Sequence, residues 1–250
     1  MITGERVTTA AGGFNPTFQR HVAAYRLCAG LLGPGPVLDL GCGIGHSYRE
    51  LAPRASVGVD IDADALVGQS RETVCADMRR VPLADGAFAS VLSVQSLEHV
   101  PDPEAVLAEA VRLLARPGRA VFVTPNRLTF GVGGEIIDPY HYIEYEAAGL
   151  RALCERVFDR VAILGLHGSR RYQALVDAER RELLRTLALD PLRLRRLIPR
   201  RGRRLLYDWR LTRDRAAPRP GAGEITPADF TLAEGDDAAA LDLVAVCDRD

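Results

Sequence analysis

The stretch VLDLGCGIGHSY, Val37 to Tyr48, decides the fold. An apolar run holding one acid turns at once into glycines at 41, 43 and 45. Such a run reads as a buried strand that ends in a loop which another group approaches closely, because glycine has no Cβ to obstruct it. The spacing is GxGxG with His46 next, so the third glycine comes one position too early for the dinucleotide fingerprint. No GK[ST] follows, which excludes a phosphate loop. Asp39 at the end of the strand would repel a pyrophosphate and favour a cation. The expected ligand therefore lacks phosphate, carries positive charge and lies against backbone.

Outward from this loop, strands and helices alternate. Residues 14–33 read as a helix with Val22, Ala23, Leu27 and Leu31 on one side, closed by GPGP. After the loop, residues 47–52 continue as a helix, SVGVD (56–60) is a second strand, and DADAL opens a second helix. Strands follow at 73–75, 88–94 and 119–125. Between the last two, residues 103–115 form an amphipathic helix with Val106, Leu107, Ala110, Leu113 and Leu114 at helical spacing. A helix at 146–157 and strands at 160–166 and 240–249 complete the pattern. Alternation of this kind gives a mostly parallel sheet covered on both faces, with ligands at the carboxyl ends of the strands. Asp60 at the tip of the second strand is placed to reach ribose hydroxyls, and Asp77 after the third is placed to accept from an adenine amino group.

The order VLDLGCGIG, VGVDID, ADMRRVPLADGAFASVLSVQSLEHVPDP, LLARPGRAVFVTPNR resembles the class I S-adenosylmethionine-dependent methyltransferases, in their small-molecule and glycan branch. The likeness covers residues 35–165 and returns at the last strand. It implies an α/β fold, a Rossmann-like doubly wound seven-stranded sheet of order 3-2-1-4-5-7-6 with the last strand antiparallel. It also implies S-adenosylmethionine as cofactor and S-adenosylhomocysteine as product. By position, Asp39, Gly41, Cys42, Gly43 and Gly45 would hold the methionyl end. Asp60 and Ile61 would hold the ribose, Asp77 and Met78 would flank the adenine, and Gln95 and Ser96 would line the end of strand four.

Methyl transfer requires an oriented acceptor and, for a hydroxyl, a group that takes its proton. His99, in LEHV after strand four, and His141, in DPYHYIEY, are the candidate catalytic residues. Tyr140, Tyr142 and Glu144 would form an acceptor wall, with His46 beside the loop and Phe14, Phe18, His21 and Tyr25 as an N-terminal lid. His167, ending a strand, is the remaining histidine. Strand four ends in QSLE, not in the Asn/Asp-Pro-Pro-Tyr/Phe segment common in enzymes that methylate nucleic-acid amines. The acceptor is thus expected to be a small molecule or glycan, methylated at oxygen, with nucleic acid disfavoured. An RNA methyltransferase and a non-catalytic cofactor-binding scaffold stay open as alternatives.

The chain of 250 residues carries a net charge of −1, so no overall sign selects nucleic acid or membrane. Five scattered cysteines with no CxxC argue against a disulfide framework or a thiolate zinc site, and no metal motif is visible. Without a signal-like apolar core near the N-terminus, the expected location is the cytoplasm. The organisation expected is one domain: a helix or lid (1–33), a cofactor-binding core (34–168), an Arg-rich helical insertion (169–224) and a final strand region (225–250). Residues 180–219 hold 14 Arg against four acids. That insertion is open to a solvated cap, to peripheral membrane contact or to an anionic partner. The segment 219–227, RPGAGEITP, reads as a linker.

Overall fold

The computed structural model describes residues 16–131, 136–188, 190, 198–215, 221–235 and 238–250. Eight strands form one sheet. In chain order they are β1 (Val37–Leu40), β2 (Ser56–Asp60), β3 (Thr73–Cys75), β4 (Phe88–Val94), β5 (Leu114–Pro125), β6 (Arg160–Gly168), β7 (Phe230–Ala233) and β8 (Asp242–Arg249). The spatial order is β3-β2-β1-β4-β5-β8-β6-β7. The first five are parallel, and β8 runs antiparallel between β5 and β6. The expected order therefore holds, with one strand added beyond it: β7 pairs antiparallel with the outer edge of β6.

That extra strand corrects the count of seven and the reading of 219–227 as a linker. Ala222 and Ile225 are buried, and Thr226 and Asp229 form a reciprocal capping box with Pro227 at its start. Asp229 then takes Ser169 Oγ at 2.7 Å and Arg171 Nη2 at 2.7 Å. Phe230 packs edge-on against Tyr172, with ring centroids 4.6 Å apart. The capping box, the Phe230 anchor and pairing with Gly165–Gly168 of β6 hold this strand.

Helices cover both faces. The helix α1 (Pro16–Ala29) buries Ala23, Tyr25 and Cys28 with Leu92, Val121, Val123 and Val244 on one face. On the other, α3 (Pro103–Leu113) buries Val106, Leu107, Ala110 and Leu113 together with Phe122 and Phe158. Each such buried branched or aromatic side chain contributes about 1.5–3 kcal/mol. Asp102 caps α3 by accepting from Ala105 N at 3.2 Å, and Pro103 opens it. The helix stops at Leu113, two residues before the expected end, because Leu114 pairs with Phe88 at the start of β5.

Two expected helices are much shorter than their sequence suggests. Residues 47–52 hold one tight turn, Tyr48–Leu51, and α2 is four residues, Ala63–Leu66. Shortening α2 brings Gln69 and Arg71 back over the sheet. Beyond β5 come α4 (Arg127–Phe130), α5 (Ala147–Cys154), α6 (Arg170–Ala188) and α7 (Arg200–Arg215). The last two are the helices expected before the final strand. No helix among the described residues is long and apolar enough to cross a membrane.

Candidate active site

The glycine loop leaves β1 in the left-handed region: φ is +79° at Gly41, +52° at Gly43 and +66° at Gly45. A Cβ at Gly41 would lie 2.5 Å from Ser96 Cβ and 3.3 Å from Met78 Cε. At Gly43 it would meet open space. Gly41 N and Cys42 N donate to Val59 O at 2.8 and 2.9 Å, tying the loop to β2. Gly43 N donates to the Asp60 carboxylate at 2.8 Å, whose other oxygen accepts from Asp62 N at 2.9 Å. Ile61 beside it is 72% exposed, unusual for isoleucine. The fold thus brings Gly41, Gly43, Asp60, Met78 and Ser96 to one rim. Asp77 joins them at the end of β3 with its carboxylate forked by Arg79, 2.6 Å at the closest pair.

Asp39 lies beneath the loop, paired within the chain. It is fully buried, with Tyr25 Oη donating at 2.9 Å and Arg71 Nη2 at 2.7 Å. Arg71 also lies over the Tyr48 ring, 4.5 Å from its centroid. The cation that the acid calls for comes from the chain itself, so Asp39 shapes the loop from beneath. Burial pushes the Asp39 carboxyl up and Arg71 and Tyr25 pull it back; burial opposes the Arg71 charge, but the Asp39 carboxylate keeps it raised. Tyr25 is likewise buried, not part of a lid, and burial beside Asp39 pushes its phenol well above the usual range. Gln69, absent from the sequence reading, donates to Gly43 O at 2.8 Å and fills the space beside Gly45.

Two histidine groups flank this loop. His46 meets His21 and Phe18, each at 5.0 Å between ring centroids, and its Nδ1 bonds to Ser47 Oγ. Burial lowers His46 to about 4 and, with His46 and Arg20 nearby, His21 well below its ordinary value. Phe14 lies outside the described residues. Near them Gln95, at φ +50°, donates to Asp242 Oδ1 at 2.9 Å. Asp242, fully buried at the start of β8, faces Arg20 of α1 at 3.3 Å.

The second group follows β4. Glu98 is 1% exposed, accepts from Thr124 Oγ1 at 3.2 Å, and its carbonyl takes Tyr142 N at 2.8 Å, pinning the 138–145 segment to the end of β4. His99 and His141 stand 5.0 Å apart edge to face. His99 Nδ1 donates to Tyr140 O at 3.4 Å, and His141 Nδ1 to Glu144 Oε1 at 3.1 Å. Burial pushes Glu98 up to about 7 and, with His141 adjacent, lowers His99 to about 4. Burial works against a charge on His141, but Glu144, Glu98 and Asp138 hold it raised. Of the expected acceptor wall, Glu144 orients His141. Tyr140 instead packs under Arg204, 4.6 Å from its ring centroid, and beside Tyr207. Tyr142 is 42% exposed, and His167 lies against Gly165, within β6. Glu98 was overlooked although it stands in the same LEHV stretch as His99.

A doubly wound sheet with a glycine turn after β1 and an acid ending β2 defines a Rossmann-like methyltransferase fold. A methyltransferase domain family matches residues 38–122. The Mycolicibacterium smegmatis protein named "Probable S-adenosylmethionine-dependent methyltransferase" is 31% identical over 99% of this chain and 95% of its own. A Mycobacterium tuberculosis protein of the same description is 34% identical over 68% of this chain and 65% of its own. In fold, an S-adenosylmethionine-dependent methyltransferase structure from Thermotoga maritima superposes with a TM-score of 0.60 at 16% identity, covering 94% of this chain and 92% of its own. The chain belongs to the S-adenosylmethionine-dependent methyltransferases, and S-adenosylmethionine is its cofactor. The residues present fit that group: backbone open to approach at Gly43, exposed apolar surface at Ile61, and a carboxylate at Asp60.

Proposed function

We propose that this enzyme methylates an oxygen of a small molecule or glycan. The observation that carries the reading is the group of buried Glu98 and His141 with half-buried His99, just beyond the Ser96 that packs against Gly41. When bound, S-adenosylmethionine supplies an electrophilic methyl carbon and leaves as S-adenosylhomocysteine. A neutral amine attacks with the lone pair it already has, whereas a hydroxyl must also give up a proton, and a polar group has to stand at that atom. His99 and His141 are the residues placed at that atom, with Glu144 fixing the His141 ring. Gly41, Cys42, Gly43 and Gly45 form the floor for the methionyl part, Asp60 and Ile61 take the ribose, Asp77 and Met78 flank the adenine, and Gln95 and Ser96 border the methyl-bearing end. Asp39 acts at one remove, through Arg71 and Tyr25. His21 and His46 cover the acceptor from the α1 side.

In α7, Arg201, Arg203 and Arg204 precede exposed Leu205, Leu206 and Trp209. That mix suits contact with an anionic membrane surface and an amphipathic acceptor; cosedimentation with anionic vesicles, lost in a Leu205→Ser/Trp209→Ser variant, tests it. Five free cysteines accord with a cytoplasmic, reducing location. The main test is methyl transfer from labelled cofactor to a panel of phenols, quinols, glycosides and amines, with products assigned by NMR. We expect O-methyl products, and His99→Ala and His141→Ala to lower turnover more than cofactor affinity. Exclusive N-methylation would refute the reading.

A further inference from the structure

We infer that Glu98, His99 and His141 bind one divalent cation, and that this ion holds the acceptor oxygen for methyl transfer. One donor atom from each residue lies within 4.8 Å of the other two. Around a manganese- or magnesium-sized ion opposite donors sit about 4.2 Å apart and adjacent ones about 3 Å, so side-chain rotation draws the set inward by up to about 1–2 Å when the ion binds. Two imidazoles and a carboxylate form a donor set for a first-row divalent ion with coordination positions left open.

The surroundings match what a metal centre needs. The Nδ1–H groups of both histidines are engaged, His99 with the Tyr140 carbonyl at 3.4 Å and His141 with the Glu144 carboxylate at 3.1 Å. Each bond puts the proton on Nδ1 and the lone pair on Nε2, the arrangement that orients ligating histidines. Glu98 uses Oε2 for Thr124, while its Oε1 is buried with no hydrogen-bond partner. An orphaned carboxylate oxygen costs stability unless something satisfies it, and a cation does so directly. Asp138 Oδ2 stands 3.9 Å from His141 Nε2 and accepts from Tyr207 at 2.7 Å, adding negative charge beside the site. Sequence reading finds no metal motif because these donors come from two loops far apart in the chain. They meet only when the Glu98 carbonyl pins the 138–145 segment.

An ion here polarises the acceptor O–H, whose proton leaves to water. The oxygen lone pair forms the new C–O bond as the methyl–sulfur bond breaks. That bond's electron pair stays on sulfur, turning the sulfonium into a neutral thioether. The histidines then act as ligands, not bases. The second half of the inference rests on the oxygen-acceptor reading; the binding of the ion does not.

The test is titration of chelator-stripped full-length protein with Mn²⁺, followed by electron paramagnetic resonance and calorimetry. We expect one ion per chain, affinity reduced at least about tenfold in Glu98→Gln and His141→Gln, and nitrogen modulation from imidazole in the spin echo of the wild type. The echo needs no variant, so a misfolded mutant does not spoil the test. No saturable binding of Mn²⁺ or Zn²⁺, or a bound ion without imidazole modulation, overturns the inference. O-methyl transfer undiminished by chelation, with no ion bound, overturns it and leaves the proposed function standing. Mn²⁺ bound with nitrogen modulation, but only N-methyl products, supports the site and refutes the oxygen acceptor.

Discussion

Replacing Arg71 by Met keeps the aliphatic stem and removes the charge that neutralises Asp39. Among the described residues, Tyr25 Oη, at 2.9 Å, is then the side-chain partner left to a fully buried carboxylate. Breaking a buried pair from one side costs about 3–5 kcal/mol. Protonation sets a ceiling on that cost. Driving an Asp neutral at pH 7 from an unfolded value near 3.9 takes roughly 3.1 pH units at about 1.4 kcal/mol each, or about 4 kcal/mol. The unpaired carboxyl has its folded pKa raised, so the folded variant holds a proton that its unfolded chain releases above about pH 4. Its deficit against wild type therefore shrinks as pH falls, to roughly 1.5 kcal/mol near pH 5. Urea unfolding of both proteins at the two pH values measures this, with Asp39→Asn/Arg71→Met expected to recover much of the loss. A deficit below about 1 kcal/mol, or one that does not change with pH, would refute the account of Asp39 as an acid held by an internal cation.

Gly41→Ala should weaken S-adenosylmethionine binding at least tenfold by calorimetry, since it combines a left-handed φ costing about 1–2 kcal/mol with overlap against Ser96. His21 and His46 have lowered folded pKa values, so below about pH 6.5 the unfolded chain takes protons that the folded one refuses. Stability present near neutrality should fall by up to about 1.4 kcal/mol per pH unit per histidine toward about pH 4, and His46→Gln should flatten the slope of urea midpoints. Asp229→Asn removes the anchor of Ser169, Arg171 and the capping box. A loss of about 1–2 kcal/mol, with faster hydrogen exchange confined to Phe230–Ala233, is expected.

The sheet was legible wherever burial on both faces made apolar runs, as in VLDL and SVLSV, and glycine marked the loop that follows β1. β7 was not, because it is an edge strand buried mainly at Phe230 and makes no apolar run like that of β1. The juxtaposition of Gly41, Gly43 and Asp60 followed from local spacing, each set by where a strand ends. Arg71 and Gln69 left no trace of that kind. Their roles depend on α2 being one turn long, which returns the chain over the sheet instead of carrying it away. The Asp39 reading called for a cation, and the structure pairs the acid with Arg71; a strand-end acid looks the same whether a ligand or a distant arginine answers it. The histidine pair was found one residue at a time; that His99 and His141 face each other follows from a carbonyl hydrogen bond that no sequence pattern encodes.

Arg20 near one end of the chain meets Asp242 near the other, with Gln95 of the middle bonded to the same carboxylate. Three distant segments thus converge beside the loop, and the one that follows the other two in the chain supplies the acid. Contacts of such separation form late, after the entropy of closing almost the whole chain has been overcome. A growing polypeptide can build β1 to β5 and the glycine loop while Arg20 still lacks its counter-charge. The electrostatics beside the loop are therefore complete only once β8 has joined the sheet.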